Sequence, residues 1–293
     1  MVIVFGISAG FDMGAIGVAT FGQILSVTMA APLFHVAWTN ISNVPNVAKK
    51  PEGEWLLTAG FKKLVRTAKE ISAHNPPLKW FYIAVMFGNP SLASVVLIGP
   101  TFYREHMDFS ASENILVTTI ITFFAFPGAL LAKFLCQKKS IVFTLKFFLL
   151  SAFATALYCA AVIDGPDKEV AAYMYACLVG ICLGGYLTAE TSFFPTLVPP
   201  DQAAELSGVY FFMARSMLWL PALLFTAANE RSVPMNRAVL LVQSLSLISF
   251  FILFKVGSPS NIQEKADEYK IYRKTLRPSS MTQQEVNTEK IDA

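Results

Sequence analysis

Between Lys79 and Val256 the chain alternates apolar segments of about 20 residues with short polar links. A helix of that length crosses a hydrocarbon core roughly 30 Å thick, because each residue advances the helix by about 1.5 Å. The pattern therefore predicts an all-α, polytopic membrane protein with six crossings. These are expected at Lys79 to Gly99, Asn114 to Cys136, Ile141 to Ile163, Val170 to Phe194, Glu205 to Asn229 and Met235 to Val256.

Four regions follow from this pattern. Residues 1–41 are predicted to hold one or two further transmembrane segments, and residues 79–256 form the six-helix bundle. Residues 42–78 form a linker with a basic amphipathic helix, which lies either flat on the membrane or against the bundle's own cytosolic face. Residues 257–293 are predicted to be a disordered cytosolic tail, with at most a short helix near Ile262 to Tyr272.

Composition agrees with a membrane protein, since 54% of the residues are hydrophobic and only 15% are charged. The distribution of positive charge predicts the orientation. Of the 23 Lys and Arg residues, 18 fall on one side of the predicted zigzag, four fall on the other, and Arg215 lies inside a crossing. Because basic residues concentrate on the cytosolic side, we expect the 42–78 linker and the C-terminus to be cytosolic.

Motifs of soluble enzymes and of metal sites are missing from the sequence. There is no phosphate-binding glycine loop and no Gly-x-Ser-x-Gly, and the three histidines are scattered. The four cysteines lie in or at the ends of apolar segments, without the spacing of a zinc site, and are predicted to pack in the core. We therefore expect neither an enzyme nor a cofactor, and no nucleic-acid partner; the lipid bilayer is the partner that the pattern indicates.

Polar groups inside the crossings are the candidate functional residues, because they are costly to bury in lipid. Glu190 and Arg215 are predicted at similar depths and could pair. That pair would be a static link between helices or a gate or proton-linked switch, unless Arg215 reaches the interface instead. Asn89 lies in Gly88-Asn89-Pro90, where proline removes a backbone donor and would break the helix beside a binding site or merely kink it. Pro221 is expected to kink its helix.

A family resemblance rests on three consecutive stretches. They are Gly184 to Pro199 (GGYLTAETSFFPTLVP), Ala204 to Tyr210 (AELSGVY) and Arg215 to Pro221 (RSMLWLP). Together they resemble the tenth and eleventh helices of major facilitator transporters of the autophagy-related vacuole-effluxer type. The 126–130 stretch (FPGAL) is similar to that family's eighth helix, and Gly60-Phe61 with Leu64 and Thr67 to its central linker.

The chain also departs from this family. Thr191 stands where the family usually has Arg, and Asn89-Pro90-Ser91 stands where it tends to have Asn-Asp-Gly. The resemblance implies a secondary transporter of a small organic solute in the vacuolar membrane, with amino acid efflux as the first interpretation. Asn89, Glu190 and Arg215 are the candidates for binding or gating because they are polar groups within the crossings. The departures leave the solute and any coupling proton open.

The resemblance further implies two six-helix bundles around a central cavity. This chain would supply the second bundle and the end of the first, since Ala31 to Phe34 resembles the close of the sixth helix. We expect either an incomplete copy that lacks its N-terminal bundle or a half-transporter that assembles with a second copy. A non-transporting scaffold and a seven-helix receptor are the alternatives from other functional classes.

Overall fold

The computed structural model describes residues 73–198 and 203–257, with separate positions between 28 and 39, at 69 and 71, and between 261 and 271. Its helices between 76 and 256 are α1 (Pro76–Glu105), α2 (Ala111–Lys138), α3 (Ile141–Val162), α4 (Glu169–Leu197), α5 (Ala203–Ser216), α6 (Leu220–Glu230) and α7 (Met235–Ile252). Short 3-10 turns precede α4 (Pro166–Lys168) and follow α7 (Leu253–Val256). The described part of the chain is thus an all-α bundle.

Six helical stretches of the described residues are long and apolar enough to cross a membrane. They are Pro76–Glu105, Ala111–Lys138, Ile141–Val162, Pro166–Leu197, Leu206–Glu230 and Met235–Val256. Each coincides with one predicted crossing to within six residues at its ends. The polytopic helical fold predicted from the apolar pattern is therefore confirmed.

Side-chain caps fix where three of these helices begin. Asn75 and Ser140 each accept a hydrogen bond from the backbone N–H three residues further on, at the starts of α1 and α3. Ser110 and Glu113 form a reciprocal capping box at the start of α2. The first N–H groups of a helix have no partner inside the helix, and hydrocarbon offers none. These caps therefore place the helix starts at the ends of the bundle.

The fifth crossing is divided into α5 and α6 by a turn at residues 217–219. Two short-range bonds form this turn, from Leu218 N to Arg215 O at 3.2 Å and from Leu220 N to Met217 O at 3.0 Å. Pro221 follows directly and has no N–H to donate to the Met217 carbonyl, as a continuous α-helix would require. The predicted kink at Pro221 is therefore an interruption of the helix.

Glycines allow α2 and α4 to touch along their backbones, in the most extensive helix pair of the bundle. Gly180 and Gly184 lie one turn apart on α4, and added Cβ atoms there would overlap the carbonyls of Ile121 and Ala125 on α2. A Cβ at Gly128 on α2 would likewise overlap the backbone of α4. Small residues four apart are typical of close helix packing in membranes. This contact sets the position of α4.

Burial is uneven around the bundle. Only 22% of the residues in the membrane-spanning parts of α2 and of α5–α6 are buried, against 39–56% for the other four crossings. The exposed side chains on these elements are large and apolar, and they include Phe123, Phe126, Phe211 and Trp219. These surfaces therefore face lipid or another protein surface.

The segments predicted at 1–41 and 42–78 lie mostly outside the described residues, and so does the 257–293 tail beyond 271. Within that tail, the described positions between 261 and 271 are helical. Ile262 and Tyr269 there are 5% and 0% exposed. The N-terminal crossings, the linker's amphipathic helix and the disorder of the tail stay predictions.

Orientation gives a prediction that labelling can check. We expect Lys139→Cys, in the exposed link between α2 and α3, to react with a membrane-impermeant maleimide only when the cytosolic face is accessible. Asp167→Cys, whose native side chain is 75% exposed before α4, should react only from the opposite face. Both changes are made in a variant with the four native cysteines replaced by alanine. Labelling of both sites from one face would contradict the positive-inside assignment.

Candidate functional site

Glu190 lies on α4 about two turns before the helix ends at Leu197, and its side chain is fully buried. Asn89 of α1 donates from Nδ2 to Glu190 Oε1 at 2.9 Å. The Tyr210 hydroxyl of α5 donates to the same oxygen. One carboxyl group therefore joins three different membrane-spanning helices.

Asn89 reaches this position from an unbroken helix. The sequence left open a break or a mere kink at Pro90, and α1 continues from Pro76 to Glu105 through that residue. Pro90 still leaves the Met86 carbonyl without its helical donor, because proline has no N–H. Nearby, the Ser249 hydroxyl of α7 donates to the Ala84 carbonyl of α1 at 2.8 Å and fixes α1 beside the site. Asn89 is thus positioned by helix packing, without an unwound segment.

Tyr210 was not identified as a site residue from the sequence, where only the charged and amide side chains within the crossings were considered. Its ring stacks on Phe194 with the centroids 4.7 Å apart and lies nearly parallel to Phe81 at 6.3 Å. Beside it, the Tyr82 hydroxyl donates to the Leu206 carbonyl at 3.0 Å, which links α1 to α5. A phenol seven residues after the start of α5 was the available signal. These aromatic contacts hold the Tyr210 hydroxyl against Glu190.

Arg215 does not form the predicted ion pair with Glu190. Among the residues that the structure describes, the carboxyl hydrogen-bonds only to Asn89 and Tyr210, and no salt bridge joins it to Arg215. Arg215 follows Tyr210 by five positions, which places it about 7.5 Å further along the helix and on a different face. Its side chain is exposed and acts on Glu190 only through longer-range electrostatics. The pairing prediction was wrong.

The second carboxyl oxygen of Glu190, Oε2, is the acceptor of the site that is not hydrogen-bonded to a described residue. It is buried and has no hydrogen-bond partner among the described residues. A carboxylate oxygen can take up a proton or accept hydrogen bonds from an ammonium or guanidinium group. This oxygen can therefore take up a proton where it lies, whereas a larger cationic group would reach it only if the surrounding helices moved apart.

Two other expectations concern neighbouring positions. Thr191, which stands where the resembling family has Arg, is exposed and donates to the Leu187 carbonyl of its own helix at 2.8 Å. In the described part of the chain, no three His, Cys, Asp or Glu side chains lie together as metal ligands would. The described polar cluster accordingly consists of Asn89, Glu190 and Tyr210, with Arg215 outside it.

Comparison with known proteins places this architecture in a family. None of the curated proteins matches the chain. The family model described as vacuole effluxer Atg22 like matches residues 10–266, which include all six described crossings and the polar cluster. With these crossings, the match supports a multi-pass integral membrane protein that transports a solute. The chain therefore belongs to the vacuole effluxer Atg22-like family, within the major-facilitator-like transporters.

Proposed function

We propose that this bundle is part of a secondary active transporter and binds the small organic solute that is transported. Amino acid efflux from a vacuole is the first candidate activity. The buried Glu190 carboxyl is the observation that carries the proposal. It has two donors on one oxygen and an open position on the other. An ionisable group in a membrane helix is costly, and its retention at a junction of three helices is typical of a solute or ion pathway.

The carboxyl acts as a switch because its partners lie on separate helices. Asn89 belongs to α1 and Tyr210 to α5, so a new occupant at Glu190 changes the bonds that hold α1 and α5 to α4. A ligand shifts a conformational equilibrium only when it binds two states differently. A proton or a solute ammonium at Glu190 meets this requirement, since either one competes with the two donors for the carboxyl's negative charge.

The charges near the site support an amino acid as the solute. An amino acid carries an ammonium and a carboxylate, and the site offers the Glu190 carboxyl and, further along the same crossing as Tyr210, the exposed Arg215 guanidinium. Arg215 lies two residues before the turn that divides α5 from α6. A divided helix is a common feature of solute sites in transporters. We therefore assign Glu190 to the ammonium or a coupling proton, and Arg215 to the carboxylate.

A second bundle is required for transport, because alternating access moves one bundle against another around a shared site. The two least buried crossings, α2 and α5–α6, supply the surface for it. We infer that another bundle packs there, provided by a further part of the polypeptide or by a second copy of this chain. Asn89 and Arg215, both accessible in the isolated bundle, would then line the space between the two.

Reconstitution tests the proposal. The purified chain is placed in liposomes, and flux of labelled amino acids is measured with and without a pH gradient, alongside the particle mass in detergent. We expect saturable, gradient-sensitive flux only from particles heavier than one 32.2 kDa chain and its detergent. Absence of flux from folded, associated protein would favour a scaffold. Flux from a stable monomer would overturn the two-bundle mechanism.

A further inference from the structure

Three lysines that contact aromatic rings lie at one end of the bundle. Lys79 lies in the first turn of α1, Lys146 lies in the second turn of α3, and Lys255 lies in the 3-10 turn that follows α7. Successive crossings run in opposite directions, so the starts of α1 and α3 and the end of α7 lie on the same side. This is the side that carries most of the basic residues and is predicted to be cytosolic.

The ammonium groups of these lysines lie over two aromatic rings, those of Trp80 and Phe254. The ammonium groups of Lys255 and Lys79 lie 4.4 Å and 5.6 Å from the centroid of the Trp80 ring. The Lys146 ammonium lies 3.7 Å from the centroid of Phe254, the residue next to Lys255. A cation over an aromatic face is attracted by the ring, but the ring does not neutralise its charge. Two of the ammonium groups therefore share one ring, and the third lies over the ring of the residue next to Lys255.

No carboxylate compensates this charge in the part of the chain that the structure describes. The ion pairs between described residues join Lys168 to Asp167 and Lys265 to Glu268, and neither involves the three clustered lysines. Like charges at one end of a bundle repel one another, and an anion bound between them would relieve that repulsion. These lysines thus have the charge of an anion site, and no anionic side chain among the described residues pairs with them.

The surroundings indicate that the anion belongs to a lipid. Trp80 is partly buried at the start of a crossing, where tryptophan marks the level of the lipid headgroups. Phe254 is 59% exposed on the outer surface of the bundle, beside the Lys146 ammonium. Basic pockets between transmembrane helices on the cytosolic side are suited to phosphate headgroups. A soluble anion would make no use of the exposed apolar ring.

We propose that Lys79, Lys146 and Lys255 form a binding site for the phosphate headgroup of an anionic phospholipid. In this site, Trp80 and Phe254 contact the upper part of the lipid's acyl chains. The site lies at the end of the bundle where α1 begins, and it is separate from the Glu190 cluster. It does not depend on the transport proposal, because none of its residues belongs to that cluster.

Native mass spectrometry of the full chain with phosphatidic acid tests the site, with zwitterionic phosphatidylcholine, which has no net charge, as the comparison. The triple variant Lys79→Gln, Lys146→Gln, Lys255→Gln should bind phosphatidic acid about 100-fold more weakly, at about fivefold for each lysine removed. The triple arginine variant keeps the charges and should retain binding. Loss of phosphatidic acid selectivity only in the glutamine variant is the expected result, and unchanged binding in that variant would overturn the proposal.

A matched control distinguishes a defined site from general charge. Lys133, Lys138 and Lys139 lie at the same end of the bundle on and after α2, where Lys138 lies over the Phe134 ring of its own helix at 4.5 Å. Replacing these three by glutamine removes the same charge and should leave phosphatidic acid binding within about twofold. An equal loss in both triple variants would mean diffuse attraction and no site. Displacement of the lipid by millimolar glycerol 3-phosphate would identify a soluble phosphate as the ligand and overturn the lipid assignment.

Discussion

Replacing Gly184 by alanine should lower the free energy of unfolding by about 3 kcal/mol or more, and replacing it by leucine should prevent assembly of the bundle. The added Cβ would overlap the Ala125 carbonyl of α2, and a backbone carbonyl cannot rotate away as a flexible side chain can. The helices must then separate along the most extensive contact in the bundle. Thermal unfolding of the purified protein in detergent measures the effect.

Gly208 provides a matched control for this substitution. It also lies within a helix, but an added Cβ there meets no atom within 4 Å. Because alanine restricts the unfolded chain more than glycine does, Gly208→Ala should raise stability by about 0.5–1 kcal/mol. Gly180→Ala should resemble Gly184→Ala, since its Cβ would overlap the Ile121 carbonyl. Equal stability of Gly184→Ala and Gly208→Ala would show that α2 and α4 do not approach closely.

The crossings could be predicted because a single physical quantity determines them. An apolar stretch long enough to span the hydrocarbon must be helical there, since every backbone group needs a partner within the segment. Hydropathy does not depend on whether a residue has a backbone N–H. The division between α5 and α6, where Pro221 has none to donate, was therefore expected only as a kink. The close contact through Gly180 and Gly184 was not predicted either, because it depends on which helix each glycine faces.

In the candidate site, too, the sequence predicts how deep a residue lies in the membrane, but it does not predict which neighbouring helix that residue faces. Asn89 and Glu190 could be identified separately, because each is a polar group within an apolar segment. Their contact requires the rotation of α1 relative to α4, which the length of a segment does not specify. Glu190 and Arg215 were expected to pair because they lie at similar depths, yet depth leaves the helix face undetermined. The face of α5 that meets Glu190 carries Tyr210, whose uncharged hydroxyl was not considered.

Glu190→Gln is expected to abolish solute flux while leaving the bundle folded. Glutamine retains a carbonyl oxygen that can accept the hydrogen bonds from Asn89 and Tyr210. It cannot take up a proton or pair as an anion with a solute ammonium. Removing one partner of a desolvated charge pair costs about 2–5 kcal/mol, so flux should fall by about 100-fold or more in the liposome assay.

Stability separates this role from a structural one. A buried carboxylate without a bonded cation is unfavourable, so Glu190→Gln should unfold at the same temperature as the unmodified protein or above it. Thr191→Val is the matched control, because the neighbouring Thr191 is exposed and bonds only to the Leu187 and Thr188 carbonyls of its own helix. That variant should transport at nearly the unmodified rate. If Glu190→Gln transports equally well, or loses flux only because it unfolds, then Glu190 links helices and has no part in the solute path.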